Sequence, residues 1–272
     1  MNNKLYSWCG ESLKKHSLET FKIYRLSFEE KIIKVLEGRL RCSFDDFSIL
    51  VLRLTLLLHD IGKSHPKYQQ SVRVKENCLN PDLKCNRCKY KPSFPWHEIL
   101  SAYFYWKLIE ELWFYCMLGD MHRELQTIST ISVLTHHQAM REPMVECPSK
   151  DMDLKGWEVK QLSELILGLI SSACEKLKVD TSKLRRTVNG TLNTLSEDFE
   201  KRNSLISLCR TLQVQLNESL QQRGRGKLKI YSIIAGSLVM CDWLAAEKYR
   251  KSSFTHPMLD EIKRSFPELR KH

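Results

Sequence analysis

The adjacent residues His59 and Asp60 carry side chains of the kinds that bind divalent metal ions in proteins. Neutral imidazole and carboxylate suit Zn, Mn, Fe, Co or Ni. Because neighbouring side chains on a helix diverge by about 100°, the two can face one metal centre only at a helix end or between two ions. An aspartate has two oxygens, so Asp60 could bridge two ions while His59 binds one of them.

Other candidate ligands lie where apolar helical patterns begin or end, and five of the nine histidines occupy such positions. Asp242 lies in the very apolar run 238–244, where burying an unpaired carboxylate is strongly unfavourable. A metal ion would compensate that charge, and so would a lysine or a capped helix end. In chain order the candidate metal ligands are His16, His59, Asp60, His97, His136, His137 and Asp242.

Lys63 follows Asp60 closely enough to share its environment. Its ammonium could contact a substrate phosphate or support the metal ligands from outside. An exposed lysine that stabilises the C-terminal end of a helix would give the same sequence. Asp60 and Lys63 are therefore the candidate catalytic residues, and for Lys63 both interpretations stay open.

Nine of the ten cysteines fall into two groups. Three lie in the Cys- and Pro-rich segment 78–95 with spacing that zinc sites use, and Cys147 or His65 could complete a tetrahedral structural zinc site. The others in apolar helical stretches are predicted to be buried reduced thiols, because no export signal accompanies them. The zinc candidates are Cys78, Cys85, Cys88 and Cys147; the predicted buried thiols are Cys42, Cys116, Cys174, Cys209 and Cys241.

The elements that must position these residues are predicted to be helices. Apolar periodicity of 3.6 residues predicts helices over 18–36, 47–58, 99–118, 125–134, 157–177, 192–220 and 230–249. Alternating strand patterns are missing from the sequence. The run 49–58 is apolar nearly all round and predicts a central buried helix, which Gly62 and Pro66 then stop. The pair His59-Asp60 is therefore expected where a core helix ends.

The sequence predicts one all-α domain over residues 1–272. The segment 78–95 would be a loop insertion, and residues 157–222 a helical elaboration towards the C-terminus of the core. No secretory signal is evident at the start. The most apolar segment, 230–246, contains Asp242, which argues against a membrane span. A cytoplasmic protein is expected.

The formal net charge is +11, and its excess is uneven. Between Lys183 and Lys229 ten basic residues face four acidic ones, a net charge of +6 over 47 residues. Such an excess favours a nucleic-acid partner, although a solvated basic surface would look the same. A break around two glycines predicts a flexible loop for phosphate contacts, with Arg223, Arg225, Lys227 and Lys229 as the candidates.

Aromatic residues crowd the region of one predicted helix. Bases of a single strand can stack on aromatic side chains, but no helix exposes this many, so most are expected in the core. The residues are Trp96, Tyr103, Phe104, Tyr105, Trp106, Trp113, Phe114 and Tyr115.

The order of the candidate ligands resembles the HD superfamily of metal-dependent phosphohydrolases, which share a helical core. Within it, the doubled histidine and the ending around Asp242 resemble the HD nuclease of type I CRISPR systems. No helicase phosphate loop G-x-x-x-x-G-K-[ST] is present, so the resemblance is to the stand-alone form known mainly from archaea. The motifs are Leu58-His59-Asp60-Ile61-Gly62-Lys63, Pro95-Trp96-His97-Glu98, Thr135-His136-His137-Gln138 and Cys241-Asp242-Trp243-Leu244-Ala245.

The resemblance implies two divalent ions (Mn, Mg, Ni, Co or Fe) bridged by Asp60. One would be held by His16, His59, Asp60 and Asp242, the other by Asp60, His97, His136 and His137. Two such ions supply a nucleophile at neutral pH and stabilise the attacking and leaving oxygens of a phosphodiester.

The implied activity is cleavage of DNA, single-stranded DNA above all and RNA as a further candidate, together with a separate helicase and an RNA-guided surveillance complex. Two alternatives remain at this stage. One is a phosphohydrolase of nucleotides or cyclic oligonucleotides with the same fold. The other, from a different class, is a non-catalytic basic adaptor whose histidines bind structural metal.

Overall fold

The computed structural model describes residues 5–8, 11–73, 95–116, 120–137, 147–154, 157–202, 204–221, 224–250, 261 and 263–265. Nearly all of them are helical, which confirms the predicted all-α class. The α-helices are α1 (Leu13–Ser27), α2 (Glu29–Leu40), α3 (Asp46–Leu58), α4 (Pro66–Arg73), α5 (His97–Cys116), α6 (Asp120–Thr135), α7 (Ser163–Ala173), α8 (Thr181–Arg202), α9 (Leu205–Gln221) and α10 (Gly224–Arg250). Within the described residues, 3-10 helices span Ile61–Ser64 and Val159–Leu162.

Helix α3 is the predicted central helix, and it packs against α1, α5, α6, α7 and α10. Its one cationic side chain, Arg53, is nevertheless buried. The guanidinium donates to both carboxylate oxygens of Glu29, at 2.7 and 3.0 Å. It also donates to the carbonyls of Ala173 and Glu175 at 2.7 and 2.8 Å. Arg53 thus ties α2 and the C-terminal end of α7 to the core.

Helix α10 runs against α1 and α6 and brings Asp242 into the interior. Its segment Lys227–Glu247 is long and apolar enough to cross a membrane by length and composition alone, with a mean hydropathy of 1.4. However, 61% of that window is buried inside the protein. The segment therefore has the burial of a core helix in a globular fold.

Three of the predicted helical patterns do not form single α-helices in the structure. The pattern over 18–36 is two helices, because Phe28 leaves helical geometry (φ −123°, ψ −32°) and enters the core. The pattern over 192–220 is likewise divided between α8 and α9, and that over 157–177 begins as a 3-10 helix. Apolar periodicity continues across each break because both flanking segments face the same core, so periodicity alone did not reveal the breaks.

A short antiparallel hairpin precedes α1, with strands β1 (Tyr6–Trp8) and β2 (Glu11–Ser12). The sequence did not predict this hairpin, since strands this short give no alternating pattern. The side-chain amide of Gln69 holds β1 by accepting from the Tyr6 amide at 2.9 Å and donating to its carbonyl at 2.8 Å. The same amide donates to the Lys63 carbonyl at 2.6 Å. Gln69 therefore fixes the hairpin against the segment that follows His59-Asp60.

The predicted flexible loop around residues 223–227 is wrong for its described part, because α10 begins at Gly224. Lys227 is 7% exposed, so its side chain is buried rather than presented to a phosphate, whereas Lys229 is exposed. Arg223 lies outside the described residues, and for Arg225 only the helical backbone is described. The helix extends this far because its next turn packs inside, where the Tyr231 hydroxyl pairs with that of Thr135 at 2.7 Å.

Cys147 and Cys209 form a disulfide across 62 residues of sequence. This overturns two predictions: Cys147 as a zinc ligand and Cys209 as a reduced thiol. The sequence could not pair them, because proximity over that separation depends on how α9 packs. Cys78, Cys85 and Cys88 lie outside the described residues, so the rest of the zinc prediction stays a prediction. Cys42, Cys174 and Cys241 are reduced, the last two buried; the Cys116 side chain is outside the described set.

The N-terminus of α3 provides a first test of the fold. Asp45 Oδ1 accepts hydrogen bonds from the Ser48 amide at 2.8 Å and from its hydroxyl at 2.7 Å, and His122 Nε2 lies 3.0 Å from Oδ2. Partial burial raises the pKa of Asp45, but these partners outweigh it and leave the pKa below its ordinary value. We expect Asp45→Ala to lower the free energy of unfolding by about 1 kcal/mol at neutral pH.

The pH dependence of that loss follows from the sign of the pKa shift. A carboxylate with a depressed pKa stabilises the fold above its unfolded-state pKa of about 3.9 and loses this contribution as pH falls through the folded-state value. The difference between wild type and Asp45→Ala should therefore shrink below about pH 4. Chemical denaturation between pH 7 and 3 measures it, with Asp45→Asn as the control that keeps the cap. A difference that is constant with pH would contradict this account.

Candidate metal centre

Seven predicted ligands from five separate segments meet at one buried point of the fold. Their potential ligand atoms form two sets, and within each set all of them lie within 4.8 Å of one another. The first set is His16, His59, Asp60 and Asp242; the second is Asp60, His97, His136 and His137. The structure thus brings together the two groups expected from the resemblance, with Asp60 common to both.

The end of α3 determines how His59 and Asp60 face the same point. His59 keeps helical geometry (φ −55°, ψ −30°), but Asp60 leaves it (φ −108°, ψ 6°) before the 3-10 helix begins. The change in backbone direction removes the divergence of about 100° that a continuous helix would impose. His59 Nε2 consequently lies 3.6 Å from Asp60 Oδ2.

The two oxygens of Asp60 face different sets. Oδ2 lies 3.4 Å from His16 Nε2 in the first set. Oδ1 lies 3.0 Å from His97 Nε2 and 3.7 Å from His136 Nε2 in the second. One carboxylate thus presents one oxygen to each set, which is the arrangement that a bridging ligand needs.

Backbone carbonyls orient two of the imidazoles. His59 Nδ1 lies 2.8 Å from the Leu56 carbonyl, and His136 Nδ1 lies 2.7 Å from that of Val133. A carbonyl only accepts, so in each ring Nδ1 carries the proton and Nε2 presents its lone pair to the centre. Neither Nε2 has a hydrogen-bond partner although both are buried. Unpaired buried acceptors are unfavourable, and a divalent cation fits them.

The remaining imidazoles also converge on the centre. His16 Nε2 lies 2.9 Å from Asp242 Oδ1, and His59 Nε2 lies 3.5 Å from the same oxygen. The Nε2 atoms of His97 and His137 are 3.1 Å apart. Among the seven ligands His137 is the exposed one, so its side of the centre faces solvent. The donor set, imidazole nitrogens with a few carboxylate oxygens, suits borderline transition metals.

The charges of the centre are set by burial and by close partners. Burial raises the pKa of Asp60, but Lys63 and His59 outweigh it and hold that pKa well below its usual range. Burial acts in the same way on Asp242, where the hydrogen bond from His16 and the proximity of His59 outweigh it and hold the pKa well below its usual range. Both carboxylates are therefore ionised at neutral pH, as metal ligands must be.

His16 shows how strongly the two carboxylates attract positive charge. Burial lowers the pKa of His16, but hydrogen bonds with Asp242 and Glu11 outweigh it and raise the pKa to about 9. For His59, burial prevails over Asp60 and Asp242 and lowers the pKa. A proton on His16 balances part of the negative charge, and a bound cation would replace it.

Lys63 lies in the interior, 5% exposed, with Nζ 2.5 Å from Asp60 Oδ2. The interpretation as an exposed helix-end lysine is therefore wrong. The ammonium neutralises part of the buried carboxylate charge. Its hydrogen bond also fixes the orientation of the Asp60 carboxylate through Oδ2. Whether it also contacts substrate stays a prediction.

Glu11 is a residue of this site that the sequence did not single out. It lies on β2 and is 2% exposed, and its Oε1 accepts from His16 Nδ1 at 2.8 Å. An acidic residue upstream of a histidine is too common to be a signal. The hairpin that brings Glu11 to His16 was not predicted either.

The aromatic candidates for base stacking are mostly inside the protein. Tyr103, Phe104 and Tyr105 are fully buried, as expected for the majority of this group. Trp96 and Trp106 are partly exposed, and the side chains of residues 113–115 are outside the described set.

Gly62 allows the 3-10 helix to lie directly on the start of α5, which carries His97. A Cβ at this position would lie 2.2 Å from the His97 carbonyl oxygen and 2.9 Å from Leu100 Cβ. The Gly62 amide also donates to Ser101 Oγ at 2.9 Å. We expect Gly62→Ala to lower the free energy of unfolding by about 1–3 kcal/mol and to weaken metal binding by the set that contains His97.

Thermal denaturation and calorimetric metal titration measure these two effects. Gly38→Ala is the matched control, since a Cβ there meets nothing within 4 Å and should leave both properties intact or improve stability. Equal behaviour of the two variants would show that the contact between the 3-10 helix and α5 does not position His97.

Comparison with known proteins identifies the family of the chain. The family model described as "Cas3, HD domain" matches residues 8–250. Among solved structures, a CRISPR-associated Cas3 HD domain protein from Methanocaldococcus jannaschii is similar, with 18% sequence identity and a TM-score of 0.42. The similarity covers 88% of this chain and 99% of that one. No curated protein sequence matches the chain.

The matched span contains both ligand sets and most of the chain. The resemblance drawn from the order of the motifs is thereby confirmed, and this chain belongs to the Cas3 HD-domain family.

Proposed function

We propose that this chain is a two-ion nuclease that hydrolyses phosphodiester bonds of DNA, with single-stranded DNA as its substrate. HD domains are generally metal-dependent hydrolases, and the family places the chain among CRISPR-associated HD domains. The observation that carries the two-ion proposal is Asp60, whose oxygens face two separate histidine sets. In the cell it would act in the cytoplasm with a helicase and an RNA-guided surveillance complex, in which base pairing reads the sequence.

The residues of the chain hold and orient the reacting groups. When bound, two divalent ions supply Lewis acidity and a nucleophile at neutral pH. His59 and His136 would bind through the Nε2 atoms that their carbonyl partners direct inward. Asp60 would join the two sets, and Asp242 would complete the first. Lys63, next to Asp60 Oδ2, would keep this carboxylate ionised and limit its motion.

The basic charge favours a polymeric substrate over a mononucleotide. A nuclease guided by base pairing needs only backbone contacts, and these are made by lysine and arginine. Exposed basic residues on α8 and α10 include Arg185, Arg186 and Lys229. A phosphohydrolase of nucleotides or cyclic oligonucleotides would need a closed pocket for one small ligand.

One assay separates the candidate activities. Labelled single-stranded DNA, double-stranded DNA, RNA, nucleoside triphosphates and a cyclic dinucleotide are incubated with Mn²⁺, Co²⁺, Ni²⁺ or Mg²⁺, with a chelator as the blank. We expect metal-dependent cleavage of single-stranded DNA above all other substrates. Turnover of the small molecules alone would favour the phosphohydrolase, and metal binding without turnover of any substrate would favour the adaptor.

Removal of the shared carboxylate tests the two-ion site. We expect Asp60→Ala to reduce cleavage by more than about a hundredfold, since loss of even an outer partner of a ligand costs roughly 10–100-fold. Bound metal per chain should fall as well, while the helical circular dichroism signal stays. Asp60→Asn, which keeps the shape but not the charge, should lose nearly as much.

Asp198→Asn is the matched control, because this carboxylate accepts from the Tyr103 hydroxyl at 2.8 Å and belongs to neither set. It should retain both cleavage and metal content. If Asp60→Ala kept about a tenth or more of the wild-type rate at saturating metal, the two-ion mechanism would be wrong.

The salt dependence of DNA binding tests whether the basic segment contacts phosphates. Phosphate contacts release counterions, so the logarithm of the DNA association constant falls linearly with that of the salt concentration. Since Lys227 is buried, the informative triple variant is Arg223→Gln, Arg225→Gln, Lys229→Gln. We expect weaker binding of single-stranded DNA and a slope that is flatter by roughly two to three units, with metal content unchanged.

A second triple variant controls for net charge alone. Lys22→Gln, Lys34→Gln and Arg39→Gln remove the same charge from exposed positions of α1 and α2, and the salt slope should stay near that of wild type. If the salt slope of the variant with Arg223, Arg225 and Lys229 replaced also equals that of wild type, the surface that binds nucleic acid lies elsewhere on the protein.

A further inference from the structure

Glu11 is buried against His16 without an evident structural reason. Its Oε1 accepts from His16 Nδ1 at 2.8 Å, while its Oε2 is buried and has no hydrogen-bond partner. Burying a carboxylate is unfavourable unless its oxygens are well satisfied. A half-satisfied buried pair is weak evidence for stability, since an apolar replacement is often neutral or stabilising. The contact therefore calls for an explanation other than stability.

The support of His16 differs from that of two other ligands in the same centre. His59 and His136 are held by backbone carbonyls of their own helices, which is enough to fix an imidazole tautomer. His16 is held instead by the full negative charge of the Glu11 carboxylate. A carboxylate behind a ligating histidine fixes the tautomer, orients the ring and makes the ligand more basic. Glu11 can thus strengthen His16 as a ligand beyond what a carbonyl provides.

The position of Glu11 is fixed by the short hairpin rather than by α1. Glu11 pairs with Trp8 across the two strands. Tyr6 on β1 is held at both backbone groups by Gln69, which also donates to the Lys63 carbonyl. The hairpin is therefore tied to the segment that carries Asp60 and Lys63. Through this connection, the same part of the fold positions both Glu11, behind His16, and Asp60, in front of it.

We propose that Glu11 is a positioning residue for the first ligand set, acting through His16. It directs the lone pair of His16 Nε2 towards Asp60 and Asp242 and raises the affinity of this set for a divalent ion. The inference rests on the proposed metal centre and adds to it a residue outside both ligand sets.

The test compares Glu11→Gln and Glu11→Met with wild type. Glutamine keeps an acceptor for Nδ1 but removes the charge, and methionine removes both at similar length. Each is also placed in a His97→Ala background, which leaves the His16 set as the one complete set. Binding of Co²⁺ is followed by calorimetry and by its visible absorption bands, which report ligand geometry.

We expect the dissociation constant for Co²⁺ to rise about 10–100-fold in Glu11→Gln and further in Glu11→Met, with altered Co²⁺ absorption. The effect should be of equal size in the His97→Ala background, because it concerns the first set. Melting temperature should change little for Glu11→Gln, which separates positioning from a folding role. Glu29→Gln, a charge removal beside Arg53 and away from the ligands, should leave Co²⁺ affinity and absorption unchanged even where it lowers stability.

The outcomes distinguish this inference from the proposed function. If wild type binds two ions and both Glu11 variants bind them with wild-type affinity and absorption, Glu11 does not position His16 and the metal centre stands. A lower melting temperature with unchanged affinity per folded molecule would also overturn the inference, since the role would then be structural. If wild type binds no divalent ion, the proposed metal centre itself fails.

Discussion

Two ionised carboxylates, Asp60 and Asp242, are buried among imidazoles at the end of the central helix α3, and the surrounding structure compensates them. Lys63 and a proton on His16 neutralise part of the charge. The unpaired Nε2 atoms of His59 and His136 show that this compensation is incomplete without a cation. In such an interior, electrostatic attraction is stronger than in water and an unmatched charge is correspondingly unfavourable. The same charge arrangement that makes the site unfavourable without an ion favours the binding of cations.

The rigidity that this arrangement needs comes from helix packing around α3. Arg53 fixes two neighbouring elements to it, and Gly62, which has no Cβ to meet the His97 carbonyl, lets the 3-10 helix after α3 lie close to the start of α5. Metal sites lose function when their ligands move by small distances, and ligands on packed helices are held better than ligands on loops. For this reason, ligands from five segments that are remote in sequence can converge on one centre a few ångströms across.

The site and the surface have different roles in the proposed activity. In that proposal the ligand sets would act on a phosphodiester wherever it is presented, and they carry no information about sequence. Basic residues on the outside supply affinity for a polyanion, which is long-ranged and sensitive to salt. This division agrees with a nuclease whose target is selected by another component, and the exposed side of His137 marks where the strand would meet the centre.

The sequence by itself determined the ligand types, their order, the central helix and the helical class, because each depends on neighbouring residues or on a periodicity of 3.6. The end of the helix after Leu58 could also be predicted, since Gly62 and Pro66 follow closely. The helix break at Phe28 and the hairpin before α1 were not, as the first is hidden by a continuous apolar pattern and the second is too short to show one.

Only the tertiary structure decided which partners meet over long separations. It placed one oxygen of Asp60 against each histidine set, paired Cys147 with Cys209 and brought Glu11 behind His16. It also buried Lys227, which the sequence assigned to a loop. These outcomes depend on the packing angles and register of helices, and no local pattern encodes those, because they result from the sum of many contacts across the core.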